Sequence, residues 1–200
     1  MNYTGPKVKL SRKLGIELTQ KAAKYTSKKP YAPGQHGATK RRAKQSDYGR
    51  QLLEKQRLRL QYNVSEKQMR NYYKKATKLT GNTGEILVRL LETRLDALIY
   101  RSGLARSIYM ARQLVGHKHV TVNGSILNIP SYQVKVNDVI GIKPSTRKNE
   151  IIQDSIRSSA PPEYIELSKA DFSAKLISLP AREVVPVQCE ISLVVEYYSR

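Results

Sequence analysis

Ser107-Ile-Tyr-Met-Ala-Arg-Gln-Leu-Val-Gly-His-Lys-His-Val-Thr-Val-Asn-Gly124 is the stretch whose local chemistry decides how this chain folds. Ser107 can cap a helix, Ile108, Ala111 and Val115 recur on one helical face, and Gly116 offers a stop, so a short helix is predicted. Val120 and Val122 then alternate with polar neighbours, and Asn123-Gly124 supplies the two residues a type I′ hairpin turn requires. The unit is a helix running straight into a hairpin, and its basic and histidine side chains present positive charge to a polyanion.

Upstream, Asn82 with Glu85 forms a capping pair. Ile86, Leu87, Leu90, Leu91, Leu95, Leu98 and Ile99 trace a wide apolar face, which predicts one helix running to a stop at Gly103. Leu104 adds to the buried side of the next helix, with Arg101, Arg106 and Arg112 expected to stay available. Downstream, Ile126–Ile129 and Asp138–Ile142 read as further strands. The platform is therefore helix, helix, then a small antiparallel sheet.

Toward the N-terminus, residues 1–45 are rich in Lys, Arg, Gly, Pro and Ser. Only Leu10, Leu14, Ile16 and Leu18 make an apolar cluster there, so an arm with one short helix is expected. Pro30-Tyr-Ala-Pro-Gly-Gln-His-Gly37 is turn-rich, and Lys40-Arg-Arg-Ala-Lys44 follows it, a pairing that suits an arm tracking a phosphate backbone. Ser46 caps a helix running to about Tyr62 with Asp47 in its first turn. Ser65 and Gln68 make a capping box for a second helix that ends at Gly81. Its Met69, Tyr72, Tyr73, Ala76 and Leu79 fall on one face and read as core rather than as stacking platforms.

Beyond Lys143-Pro144 the pattern loosens. Ile151-Ile152, Tyr164–Leu167, Leu176–Leu179 and Val184–Val187 read as short strand or turn-bounded segments. Ile191–Arg200 is apolar enough to dock on the body.

Charge selects the class of partner. The 200 residues carry a formal +20. It is distributed as +13 over residues 1–61, +10 over 62–149 and −3 over 150–200. A folded chain with that excess repels itself unless a partner neutralises it, and nucleic acid is the commonest such partner. The acidic last quarter points instead to core completion or a protein neighbour. A single cysteine, Cys189, forms no internal disulfide and no Cys-rich zinc site. No apolar stretch approaches the ~20 residues that span a bilayer, and the N-terminus lacks a signal-peptide core, so a soluble intracellular protein is expected.

Arg94-Leu-Asp96, Gly103, Ser107, Ala111-Arg-Gln-Leu114 and Val120-x-Val-Asn-Gly124 resemble the RNA-binding module first described in small-subunit ribosomal protein four. That module recurs in several RNA enzymes. Tyr3-Thr-Gly-Pro6, Pro33-Gly-Gln-His-Gly37, Ser46-Asp-Tyr48, Glu54-Lys-Gln56 and Val195-Glu-Tyr-Tyr-Ser-Arg200 extend the resemblance, end to end, to the bacterial-type ribosomal protein four family. It implies an α+β protein with a basic arm (1–45) and an all-helical domain (46–91) joined by the tail 194–200. An RNA-binding module of two helices packed on an antiparallel sheet, with a C-terminal extension, follows at 92–193. It further implies a structural constituent of the small ribosomal subunit that binds the 5′ domain of its RNA early in assembly and contributes to translational accuracy. The implied neighbours are ribosomal protein five and messenger RNA at the entry channel, in a cytoplasmic ribosome, with an organellar ribosome the other setting. A stand-alone RNA-binding or RNA-modifying protein using the same module is the alternative.

The residues expected to meet RNA are Lys7, Lys9, Arg12, Lys13, Lys40, Arg41, Arg42 and Lys44 of the arm, with Gln35 and His36 of its loop. Arg50, Lys55, Arg57, Arg59, Arg70 and Lys74 follow on the helices, and Arg106, Arg112, Gln113, His117, Lys118, His119 and Asn123 in the module. Where many family members carry Arg or Lys after the capping serine, this chain has Ile108 and Tyr109, which shifts the charge of the module onto Arg106, Arg112 and Lys118. Val8 and Ser11 stand where some members place the first pair of zinc-binding cysteines, so no metal is expected. His117 and His119 read as hydrogen-bond donors to phosphate, because no Cys, Asp or Glu lies close in sequence. A similar Arg-Leu-Asp triplet carries the catalytic aspartate of pseudouridine synthases. Here it sits in the apolar helix entering the module, where Asp96 is expected to pair with an arginine or cap a neighbour. With no Ser/His/Asp set, phosphate-cradling loop or carboxylate pair, neither an enzyme nor a cofactor is expected.

Overall fold

The computed structural model describes residues 3–39 and 46–200. The expected contacts Lys40, Arg41, Arg42 and Lys44 lie outside the described residues. The helices are α1 (Lys7–Leu14), α2 (Gln20–Lys28), α3 (Asp47–Gln61), α4 (Glu66–Ala76), α5 (Thr83–Glu92), α6 (Leu95–Arg101), α7 (Ile108–Gly116), α8 (Glu150–Arg157) and α9 (Ile191–Ser199). The strands are β1 (Val120–Val122), β2 (Ser125–Ile126), β3 (Val139–Ile142), β4 (Ile165–Ser168) and β5 (Ser173–Leu176). Helices that precede and flank one all-antiparallel sheet make this an α+β protein. No helix of the described residues is long and apolar enough to cross a membrane.

The chain separates into two compact units, Met1–Lys74 with Val187–Arg200, and Lys75–Pro186. In the first, Leu14, Ile16, Leu18 and Leu60 form a core with Leu10 and Leu53 against it. The arm holds two helices where one is expected. Thr19 caps α2 by accepting from the Ala22 N–H at 3.2 Å, and Ala22 is fully buried; an alanine face carries too little hydrophobicity to register as a pattern. α9 packs along α3. Gln51 Nε2 donates to Glu196 at 2.9 Å, Tyr198 Oη donates to Glu66 at 2.8 Å, and the Glu190 N–H donates to Glu54 at 3.0 Å.

In the second unit, α5 and α6 interrupt the expected single helix at Thr93 and Arg94. Arg94 is extended (φ −68°, ψ 143°), and residues 130–134 satisfy the backbone groups that the break exposes. Leu95 N–H donates to Tyr132 O at 2.9 Å and Asp96 N–H to Pro130 O at 3.2 Å. Val134 N–H donates to Thr93 O at 2.9 Å. A helix end exposes unpaired backbone groups, and here a distant loop supplies their partners.

The sheet order is β2-β1-β3-β5-β4, with all pairs antiparallel. Val122 opposite Ser125 leaves Asn123 (φ 50°) and Gly124 (φ 81°) as the two-residue turn that the sequence predicts. Val120, Val122, Ile140, Ile142, Ala174 and Leu176 are buried, as alternation on one face requires.

Ile151-Ile152 lies in α8 rather than a strand. Asn149 caps that helix by accepting from the Ile151 N–H, and Ile152 and Ile156 are buried one turn apart. Val184–Val187 forms no strand, and β2 stops at Ile126, short of Pro130. α7 does not end through Gly116 in a left-handed conformation. Lys118 takes that role (φ 62°), with its N–H on Val115 O and that of His119 on Leu114 O.

Candidate nucleic-acid interface

In the first unit the cations divide by what holds them. Lys9 and Lys13 on α1, and Arg70 and Lys74 on α4, are exposed; Lys7 is partly exposed. Arg12 instead holds the following loop. Its Nε donates to Lys29 O at 3.2 Å and Tyr31 O at 3.1 Å, its Nη2 donates to Ala32 O at 3.3 Å, and the guanidinium lies 4.9 Å from the Tyr31 ring centre. That loop carries Gln35 and His36, both exposed. Its turn needs glycine at Gly37, where a Cβ would sit 1.8 Å from Ala32 O.

α3 turns its basic groups largely inward. Lys55 is 3% exposed, with Nζ 2.9 Å from Glu66 and 4.6 Å from the Tyr197 ring centre. Arg57 donates from Nε to Leu14 O at 2.8 Å and pairs with Glu54. Arg59 Nε donates to Gln56 at 3.0 Å and lies 3.8 Å from Glu66. Arg50 is exposed and pairs with Asp47. The expectation of four outward cations on α3 is corrected to Arg50 and the partly exposed Arg57 and Arg59. Periodicity shows which residues share a face, but the docking of α9 and α4 decides that Lys55 is covered.

In the second unit Arg106, Gln113, His117 and Lys118 are exposed. His119 is half-buried, with Nδ1 2.9 Å from Thr146 Oγ1, and its carbonyl accepts from the Lys143 N–H. Asn123 is exposed but engaged: Nδ2 donates to Asp138 at 2.8 Å and Oδ1 accepts from the Val139 N–H at 2.9 Å. Arg112 is the main correction. It is 9% exposed, and its Nε lies 3.4 Å from Asp96 Oδ2. Arg94, itself buried, grips the same carboxylate at 2.9 Å through Nε and 2.6 Å through Nη2. Asp96 Oδ1 also accepts from the Ala97 N–H at 3.0 Å, so the carboxylate pairs with arginine and takes up one backbone N–H of the first turn of α6. Arg101 pairs with Glu92 at 2.8 Å, and burial and the Glu92 charge raise the Tyr164 phenol well above its ordinary range.

Cations that the sequence reading passed over also line these surfaces. Lys21, Lys24 and Lys28 are exposed along α2, and their i, i+3, i+7 spacing was the available signal. Lys143 and Lys148 are exposed beside the His119 turn, while Arg147 donates to Ile142 O at 2.9 Å. Among the described residues no three His, Cys, Asp or Glu side chains are grouped to hold a metal ion.

Lysines and arginines offered from helices, turns and loops of an α+β chain are the surface chemistry of a protein that binds a polyanion. Residues 93–140 match the S4 domain, and residues 2–92 match the ribosomal protein S4/S9 N-terminal domain. Similar along nearly its whole length are the small ribosomal subunit proteins uS4 of Clavibacter michiganensis (48% identity over 98% of this chain and 96% of the relative) and Streptomyces avermitilis (47%, over 100% and 99%). That of Roseiflexus castenholzii shares 44% over 99% and 98%. This chain belongs to the small ribosomal subunit protein uS4 family, whose members are ribosomal RNA-binding proteins and not enzymes.

Proposed function

We propose that the chain is a structural constituent of the small ribosomal subunit. It binds the 5′ domain of the subunit RNA early in assembly and works in the cytoplasmic ribosome. The observation that carries this reading is the uS4 likeness running from one end of the chain to the other. The exposed cations Lys9, Lys13, Arg70, Arg106 and Lys118 support it, since phosphate contacts from mobile side chains are what shape recognition of folded RNA uses.

The test is the salt dependence of affinity for small-subunit RNA. Each phosphate contact steepens the log–log slope by somewhat under about one unit. Replacing Arg41 and Arg42 by Ala flattens it by about one to two units if the arm tracks phosphate. An unchanged slope removes the arm from the interface, and failure to co-sediment with small subunits at moderate salt removes the ribosomal reading itself.

The last quarter supports a protein neighbour, proposed here as ribosomal protein five near the messenger entry channel. It carries −3 in charge, and Ile177 and Leu179 are 47% and 50% exposed. Substitutions on that surface are expected to change decoding accuracy more than assembly. Normal error rates across a set of them count against it.

A further inference from the structure

The first unit contains a cavity of about 420 Å³ that its core does not fill. The walls are mainly leucine: Leu10, Leu14, Leu52, Leu53 and Leu60. Tyr3 also lines it, and Lys13, Gln56 and Arg59 supply the polar groups. Apolar walls with a few convergent polar groups describe a ligand site, and this volume falls at the lower end of the about 300–1,000 Å³ range for such sites.

The polar groups specify the chemistry. Lys13, on α1, is exposed and lines the cavity. Arg59 is anchored at Nε by Gln56 Oε1, 3.0 Å away, and lies 3.8 Å from Glu66 Oε2, which holds its guanidinium beside the cavity. With Oε1 so occupied, Gln56 has its Nε2 amide to offer the edge of a planar ring. Two cations beside leucine walls fit a ligand that is flat and weakly polar at one end and anionic at the other. A fatty acid matches the walls but makes no use of the Gln56 amide or the Tyr3 ring. A nucleotide uses all of them, with its base against leucine and tyrosine, its edge on Gln56 and its phosphate at Lys13 and Arg59. Unstacked bases of folded RNA are commonly read in this way.

We infer that this cavity between α1 and α3 accepts one unstacked nucleotide of the bound RNA, placing a base-reading site in a unit that otherwise reads phosphate. The inference rests on the RNA-binding reading above and deepens it.

Two measurements test it. The unaltered chain is titrated with uridine and adenosine 5′-monophosphate, inorganic phosphate and octanoate, following the leucine methyl resonances. Saturable shifts at Leu10, Leu52 and Leu53 are expected with at least one nucleotide and not with phosphate. Equal shifts with phosphate reduce the site to ion binding and overturn the inference, as does a response to octanoate alone or to none of the four. In the second measurement Leu52→Trp fills the cavity with the only tryptophan in the chain. Affinity for small-subunit RNA is expected to fall about ten-fold and the salt slope to flatten by no more than about one unit, because one base contact and the phosphate beside it are lost together. Unchanged affinity in a variant with native circular dichroism overturns the inference while leaving the ribosomal reading intact. Absence of RNA binding by the unaltered chain is instead a failure of that reading. If Leu52→Trp does not fold, the titration of the unaltered chain decides.

Discussion

Asp96 holds two guanidinium groups where little water reaches any of the three side chains: Asp96 and Arg94 are fully buried and Arg112 is 9% exposed. Breaking such a set by removing one partner leaves buried charge uncompensated. Asp96→Asn is therefore expected to cost about 3–5 kcal/mol, read as a lower urea midpoint or Tm. Arg112→Ala should cost less, because Arg94 keeps its two contacts with the carboxylate. A change in RNA affinity with unaltered stability would instead place Arg112 at the RNA surface, as helical spacing alone suggests. Asn123 offers a second residue-level case. Its positive φ and two side-chain bonds predict a loss of about 1–2 kcal/mol in Asn123→Ala. Asn123→Gly, which tolerates the backbone but loses the bonds, should fall between. The arginine partner of Asp96 was legible in the sequence because charge pairs locally across Arg94-Leu-Asp96. The burial of Arg112 was not, because it depends on how α7 packs on α6.

At the scale of elements, the joint between α3, α4 and α9 turns on Glu66. Burial pushes its carboxyl upward, but hydrogen bonds from Lys55 and Tyr198 and the charges of Lys55 and Arg59 outweigh this and leave it below its ordinary 4.5. A carboxyl depressed on folding contributes stability that is fully present above about pH 4.5 and is lost as pH falls through the folded value. Tyr198 has the opposite sign. Burial and the Glu66 carboxylate raise its phenol far above 10.0, so its contribution is complete below about pH 10 and fades as pH rises beyond that. Chemical denaturation across pH should show Glu66→Gln losing less stability than the unaltered chain between pH 5 and pH 3. Tyr198→Phe should flatten the alkaline limb; an unaltered profile in both would remove this joint as a pH-sensitive element. Removing residues 191–200 uncovers the face of α3 that α9 covers, and hydrogen exchange should then speed up along α3 first. The caps Ser46, Ser65, Asn82 and Ser107 were all readable because a side chain bonds a backbone group two or three residues on. The break at Thr93 was not, because its hydrogen-bond partners lie some forty residues away.

Over the whole molecule the net charge of +20 sets a tension between folding and partner. Self-repulsion of that size predicts that the isolated protein gains stability as salt is raised from low to physiological levels, while its RNA affinity falls over the same range. Parallel measurements of Tm and affinity in one salt series check both signs, and a fall in the two together would contradict the electrostatic account. Much of the charge is not disposable, because Arg12, Lys55, Arg57, Arg94, Arg101 and Arg112 hold the fold through carbonyls and carboxylates.

The sequence by itself determined the α+β class, the helix starts at Ser46, Ser65, Asn82 and Ser107, the hairpin, the cationic character and the family, since each depends on short-range spacing or on composition. Only the tertiary structure decided which cations face solvent, where the long helix breaks, that α9 covers α3, and that a leucine-lined cavity remains between α1 and α3. Those outcomes depend on side chains that meet across tens of residues, where burial and hydrogen bonding are shared between elements that no local pattern links.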